Sequence, residues 1–171
     1  MRVQNLLGAS VVTIMVLQAV PAAAAPVAGA SSLLTVGPQA FLETCRVDVA
    51  KARAAADRFK ATDASRNALA TLEQYDTAIG LLNDAASRAS LARNVHPDEA
   101  MRKAASECES DVDKAGTELS LDRAMFGAMS KLDVSKADAA TRFYVQRTLR
   151  DFRRAGVDLD DEKRARIKAL R

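Results

Sequence analysis

The sequence predicts an all-α fold, an array of five or six helices packed antiparallel to their neighbours behind an N-terminal leader. Three observations predict it. The chain is alanine-rich and carries only seven glycines and four prolines in 171 residues, a composition that favours helix. Its apolar residues recur at three- and four-residue steps, the period of one helical face. No stretch alternates apolar and polar residues between hairpin turns, as strands would require. Half of the chain is hydrophobic (49%) and only 4% is aromatic, so the core must be built mostly from alanine and aliphatic side chains. The heptad pattern is too irregular for a long coiled coil, and no fixed repeat stands out.

Residues 1–30 read as a signal peptide and its cleavage region. Arg2 supplies a short basic start, Leu6 to Val20 is mostly apolar, Pro21 breaks the run, and Ala22-Ala23-Ala24 and Ala28-Gly29-Ala30 each offer a small-x-small cleavage site. The apolar run is short and diluted for a membrane-spanning helix, so no stable membrane anchor is expected after cleavage. No cysteine follows it, which argues against a lipoprotein anchor. The mature chain is expected to start near Ala25 or Ser31 and to work outside the cytoplasm, in the periplasm or as a secreted protein. Residues 31–171 then form one helical domain.

Residues 31–38 are small and mixed and read as a lead-in. From Gln39 the helical period begins: Phe41, Cys45, Val49, Ala52, Ala56 and Phe59 form one face. Thr62-Asp63 breaks it, and Asp63 or Ser65 is a cap for the next helix. That helix is expected from Arg66 to Arg93, with Leu69, Leu72, Ile79, Leu82, Ala86 and Ala89 as its stripe and Asp76 interrupting it beside Tyr75. Gly80 lies inside it, where glycine costs about 1 kcal/mol relative to alanine. Its apolar neighbours favour close helix–helix approach over a mild kink.

Asn94 to Pro97 is a connection, and Pro97 fits the first position of a third helix. Met101, Ala104, Cys108, Val112, Ala115 and Leu119 continue the apolar face, Gly116 weakens the end, and Ser120 caps or kinks it. Leu121, Met125, Met129 and Leu132 carry a further face. Asp133 to Ser135 makes a corner with Ser135 as cap, and a fifth helix is expected from Lys136 to Ala155 on the stripe Val145, Leu149, Phe152. Phe143 and Tyr144 point off this stripe, which suggests a helix sandwiched between neighbours. Gly156 ends the helix, Val157 and Leu159 anchor the corner, and Asp160 caps a last helix with Ile167 and Leu170 on one side.

Little of this is chemistry. The net charge of +3 comes from interspersed residues of both signs, unlike a nucleic-acid surface with its concentrated basic stripe. There is no G-x-S-x-G elbow and no phosphate-binding loop. One histidine, His96, excludes a two-histidine metal site and reads as a connection residue near a helix start. Asp158, Asp160, Asp161 and Glu162 lack calcium-loop spacing and suit helix capping. Arg150, Arg153, Arg154, Arg164 and Arg166 read as a solvated face with intrahelical pairs. Cys45 and Cys108 lie on apolar stripes, where inert burial is the ordinary outcome. In an exported chain the same two residues are candidates for a structural disulfide if their helices are neighbours. Both readings stay open.

One stretch carries a resemblance. The run Arg150-Asp151-Phe152-Arg153-Arg154-Ala155-Gly156-Val157-Asp158-Leu159, followed by an acidic-then-basic helix, resembles part of the N-terminal region of the thimet oligopeptidase and neurolysin family of zinc metallopeptidases. Val95-His96-Pro97-Asp98-Glu99 running into Met101 to Ala105, and Glu118-Leu119-Ser120-Leu121, resemble the same region in the same order, so the likeness spans about Phe41 to Arg171. It implies a two-lobed helical protein whose N-terminal helices help wall a deep cleft for short peptides. In such full-length relatives zinc, held by an H-E-x-x-H helix and a distant carboxylate, drives hydrolysis. No position here matches that motif. The expectation is therefore a truncated N-terminal helical domain with no catalytic, metal or cofactor residues, zinc belonging only to full-length relatives. The alternative is a stand-alone helical interaction or scaffold protein.

Overall fold

The computed structural model describes residues 35–62 and 68–170. The expected leader at 1–30, the caps Asp63 and Ser65 and the start at Arg66 lie outside them. The described residues form six helices: α1 (Pro38–Ala61), α2 (Ala68–Val95), α3 (Glu99–Ser120), α4 (Arg123–Ser130), α5 (Ala139–Ala155) and α6 (Asp161–Leu170). No strand occurs among the described residues, and the all-α class read from the helical period holds.

Helices α1, α2 and α3 pack mutually as a three-helix bundle. Further along the chain, α4 lies against α1, α5 against α4, and α6 touches α3. Every residue on the predicted stripe of α1, from Phe41 to Phe59, is buried, and so is every one on that of α3, from Met101 to Leu119. Each of these helices turns one apolar face inward, so a single 3.6-residue period describes it.

The second helix differs. It buries Thr71, Leu72, Ala78, Leu82, Ala85, Ala89 and Ala92, whereas Leu69 is 60% exposed. Thr71, Ala78, Leu82, Ala85, Ala89 and Ala92 follow steps of seven, four, three, four and three, so α2 also turns one face inward, but that face is mostly alanine and is rotated away from the expected stripe, which leaves Leu69 outside. A reading of the stripe passes over such residues because alanine adds little to an apolar pattern. Gly80 is also corrected: a Cβ built there meets nothing within 4 Å, so no neighbouring backbone requires its small size. Gly80→Ala is therefore expected to stabilise the protein by about 0.5–1 kcal/mol, through helix propensity and a less flexible unfolded chain. The rise in urea midpoint at constant m-value measures it.

Helix starts moved from the expected residues to nearby aspartates. Pro97 is not the first helical residue. Asp98 is the N-cap of α3 and accepts the Ala100 N–H at 2.8 Å. Ser135 does not cap α5. Its N–H is bound by the Asp133 carboxylate at 3.0 Å in a local turn, and Asp138 caps the helix by accepting the Thr141 N–H at 2.8 Å. Asp122 caps α4 through the N–H groups of Ala124 and Met125. It also meets Lys60 of α1 at 3.0 Å.

Burial alone would raise the pKa of Asp122, but the Lys60 ammonium and the two N–H groups hold it below its ordinary value of 3.8. A depressed carboxylate of this kind contributes stability that is present above 3.8 and lost as pH falls through its lower folded value. The Asp122→Asn protein is expected to show a shallower loss of urea midpoint across that acid window.

The largest fully buried side chains include Phe59, Met101, Leu121, Met125, Met129 and Val157. An aromatic file runs through the core. Phe59 of α1 lies 5.4 Å from Tyr75 of α2, Tyr75 lies 6.2 Å from Phe152 of α5, and Phe152 meets Phe126 of α4 edge-on at 6.1 Å. Arg153 covers the Phe126 ring at 5.2 Å. The sandwich expected from Phe143 and Tyr144 is not observed. Phe143 is 61% exposed, and Tyr144 reaches α2 only by donating its hydroxyl to the Asp76 carboxylate.

Candidate functional site

The corner between α5 and α6 is the most elaborated polar feature of the described residues. The last turn of α5 closes with a paired C-terminal motif: the Gly156 N–H bonds the Arg153 carbonyl at 3.0 Å, and the Val157 N–H bonds the Phe152 carbonyl at 3.2 Å. Gly156 takes φ 101°, the left-handed region, and a Cβ there would meet Ile167 Cδ1 at 2.8 Å. The backbone conformation therefore favours glycine, and the side-chain tips of Ile167 and Leu159 pack against the space it leaves. Val157, next in sequence, is completely buried.

Two arginines fasten this corner to the α3–α4 junction. Arg123, the first residue of α4, donates to the carbonyl of Val157 at 3.4 Å and of Leu159 at 2.6 Å, and pairs with Asp161 at 3.0 Å. Arg164 reaches back from α6 to the Leu121 carbonyl at 2.9 Å and also holds Asp161 at 2.7 Å. The Arg164 hydrogen bond and the charges of Arg123 and Arg164 lower the pKa of Asp161. Asp160 caps α6 through the Lys163 N–H at 2.8 Å and pairs with its ammonium.

Of the acidic residues at the corner, Asp160 is thus engaged in capping and Asp161 in arginine contacts. Arg164 departs from the expected solvated face. It makes the expected intrahelical pair with Asp161, but it also crosses to another element, and its side chain is only 19% exposed. Arg150 and Arg154 lie near Asp151, at 3.7 and 4.0 Å. Arg123 was not singled out from sequence. Its one local signal is its place directly after the cap Asp122.

His96 lies between α2 and α3. Its Nδ1 accepts the Asp98 N–H at 3.1 Å, and its carbonyl accepts Arg102 at 2.8 Å. Its Nε2 is buried without a partner among the described residues. The geometry is that of a connection residue whose ring supports the α3 cap.

Cys45 of α1 and Cys108 of α3 are joined in a disulfide, with Cα atoms 5.9 Å apart, rather than buried as separate thiols. Both cysteines are almost completely buried. The bond crosses the bundle between the two helices whose stripes were clearest in the sequence.

The residues present do not fit the zinc site that the resemblance implies for full-length relatives. The single imidazole already uses Nδ1 locally, and no group of three or more His, Cys, Asp or Glu side chains gathers around one point among the described residues. No described helix is long and apolar enough to cross a membrane. No family model, curated protein or solved structure matches the chain.

Proposed function

We propose that this chain is the N-terminal helical portion of an exported zinc oligopeptidase similar to the thimet oligopeptidase and neurolysin family, and that it is not catalytic by itself. In this reading its helices support one wall of a cleft that admits short peptides, and residues outside this sequence supply the metal and the hydrolytic step. The observation that carries the reading is the run from Arg150 to Leu159 with its following helix, in order with the Val95–Glu99 and Glu118–Leu121 stretches. The corner formed by that run supports it. Two arginines fix the direction in which α6 leaves the bundle, while no residue of α6 is buried, as suits a helix presented to further structure. The Cys45–Cys108 bond supports export, since such bonds persist in oxidising compartments.

The genomic reading frame past the Arg171 codon tests the proposal. An in-frame H-E-x-x-H helix is the expected finding, and a stop codon followed by unrelated sequence overturns it. At the protein level, the purified chain with added zinc is expected not to cleave quenched-fluorescent peptides. Turnover that survives repurification and is abolished by chelation contradicts that expectation.

A second reading, a stand-alone helical interaction or scaffold protein of the periplasm, draws on a different observation. Helices α1 to α5 and the corner after α5 already share one continuous core, and the disulfide ties α1 to α3 within it.

A further inference from the structure

We propose that a cavity between α2, α3, α4 and α5 is a binding site for one neutral phenolic ring. The cavity measures about 170 Å³. It is open to solvent on one side, and its volume is comparable to the roughly 150 Å³ that holds a benzene molecule in an enclosed apolar cavity.

Its apolar lining includes Ile79, Leu119, Met125 and Phe152. A thioether and an aromatic face suit an aromatic guest. Tyr75 also lines it, with its ring held 5.4 Å from Phe59 and 6.2 Å from Phe152. The Tyr75 hydroxyl has no hydrogen-bond partner among the described residues. Burial, aided by the charges of Asp76 and Asp151, pushes its pKa up to about 12, so it stays a neutral donor. A guest with a hydrogen-bond acceptor on its ring would satisfy it. Asp151 also borders the cavity, but Arg147 and Arg150 stand 3.7 Å away and Arg154 4.0 Å away. Its charge is compensated, which favours a neutral guest over a cation.

Gly116 contributes to the same lining from α3. It lies inside α3, where glycine costs about 1 kcal/mol relative to alanine. A Cβ built there meets nothing within 4 Å, and φ is not positive. Neither close packing nor backbone conformation requires glycine at this position. What its missing side chain does is leave the cavity wall open.

The phenolic ring has two sources, a free small phenol or a tyrosine side chain on a peptide. The inference does not depend on the peptidase reading, because the site is defined by this chain's own residues. Titrating the protein with p-cresol, toluene and the peptide Ala-Ala-Tyr-Ala-Ala, while following the Met125 methyl signal by NMR, tests it. The expected result is a saturable shift with p-cresol at a Kd on the order of 1 mM and weaker binding of toluene.

Gly116→Leu is expected to weaken p-cresol binding at least about tenfold, while Gly80→Leu leaves it unchanged. Tyr75→Phe, which keeps the ring, should remove the preference for p-cresol over toluene even if the leucine variant fails to fold. Peptide binding as tight as that of p-cresol assigns the ring to a tyrosine side chain, and binding of p-cresol alone assigns it to a free phenol. No saturable shift up to about 20 mM, or equal binding of p-cresol and toluene by the native protein, overturns the proposal.

Discussion

Replacing both Cys45 and Cys108 with alanine is expected to destabilise the protein by about 4 kcal/mol. The bond spans 63 residues of sequence and ties α1 to α3, with all of α2 between them. Closing a loop of that length removes many conformations from the unfolded chain, and the loop-entropy relation gives the magnitude. Set against the 5–15 kcal/mol typical of a whole domain, this is a large share. It corresponds to a fall in Tm of roughly 15 °C for a domain of this size. Urea unfolding of native and variant protein under oxidising conditions measures it. Identical midpoints would show that the bond places no constraint on the unfolded ensemble. The double replacement also suits a clean comparison, because alanine is well accommodated in both helices and leaves no unpaired thiol.

Phe59→Ala is expected to cost about 3–5 kcal/mol. Phe59 has no exposed surface and starts the aromatic file that passes through Tyr75 and Phe152 to Phe126. Its removal leaves a cavity where α1 meets α2, and it takes away the ring against which Tyr75 is packed. The surrounding helices are fixed by the disulfide and by alanine packing, so they collapse only in part around the hole. Phe143→Ala is the matched control. That ring is 61% exposed, and its loss should change stability by less than about 0.5 kcal/mol. Equal effects at the two sites would contradict the assignment of the core.

The sequence was most legible where the buried face of a helix carries residues larger than alanine. The stripes of α1 and α3 match their buried residues because a single face of each turns inward. The stripe of α2 misled at Leu69, since the face that helix buries consists mostly of alanines that barely register as apolar, and the larger Leu69 drew the expected stripe away from it. Helix starts were legible in kind and displaced in position. Asp98 and Asp138 outcompete Pro97 and Ser135 because a carboxylate placed two or three residues before a free N–H satisfies it directly. Gly156 was read correctly from its place after a basic last turn. Gly80 was not, because a glycine within a helix looks the same in sequence whether or not a neighbour approaches it.

The corner was legible as a stop and a cap, but not as a docked unit. Arg123 and Asp161 are far apart in sequence, and nothing local indicates that the side chain of one will meet the carboxylate of the other. The cysteines show the same limit. Their stripes placed both in the core, yet only the mutual orientation of α1 and α3 brings their Cα atoms to 5.9 Å.

The most direct test of the account is residue-resolved amide exchange along α6 in the monomeric chain. Its first turn is held by the Asp160 cap and by the Arg164 contact to the Leu121 carbonyl. Beyond it no residue is buried, and Leu170 is 77% exposed. A helix of ten residues with so little cover is marginal in water. The account predicts slow exchange through α1 and α3, moderate protection up to about Arg164, and fast exchange from Ala165 to Leu170, with trypsin cutting at Arg166 and Lys168 before it cuts anywhere between Phe41 and Phe59. Strong protection through Leu170 would contradict it. That result would mean that the upstream helices already bury this face and would favour the self-sufficient helical module over the peptidase portion.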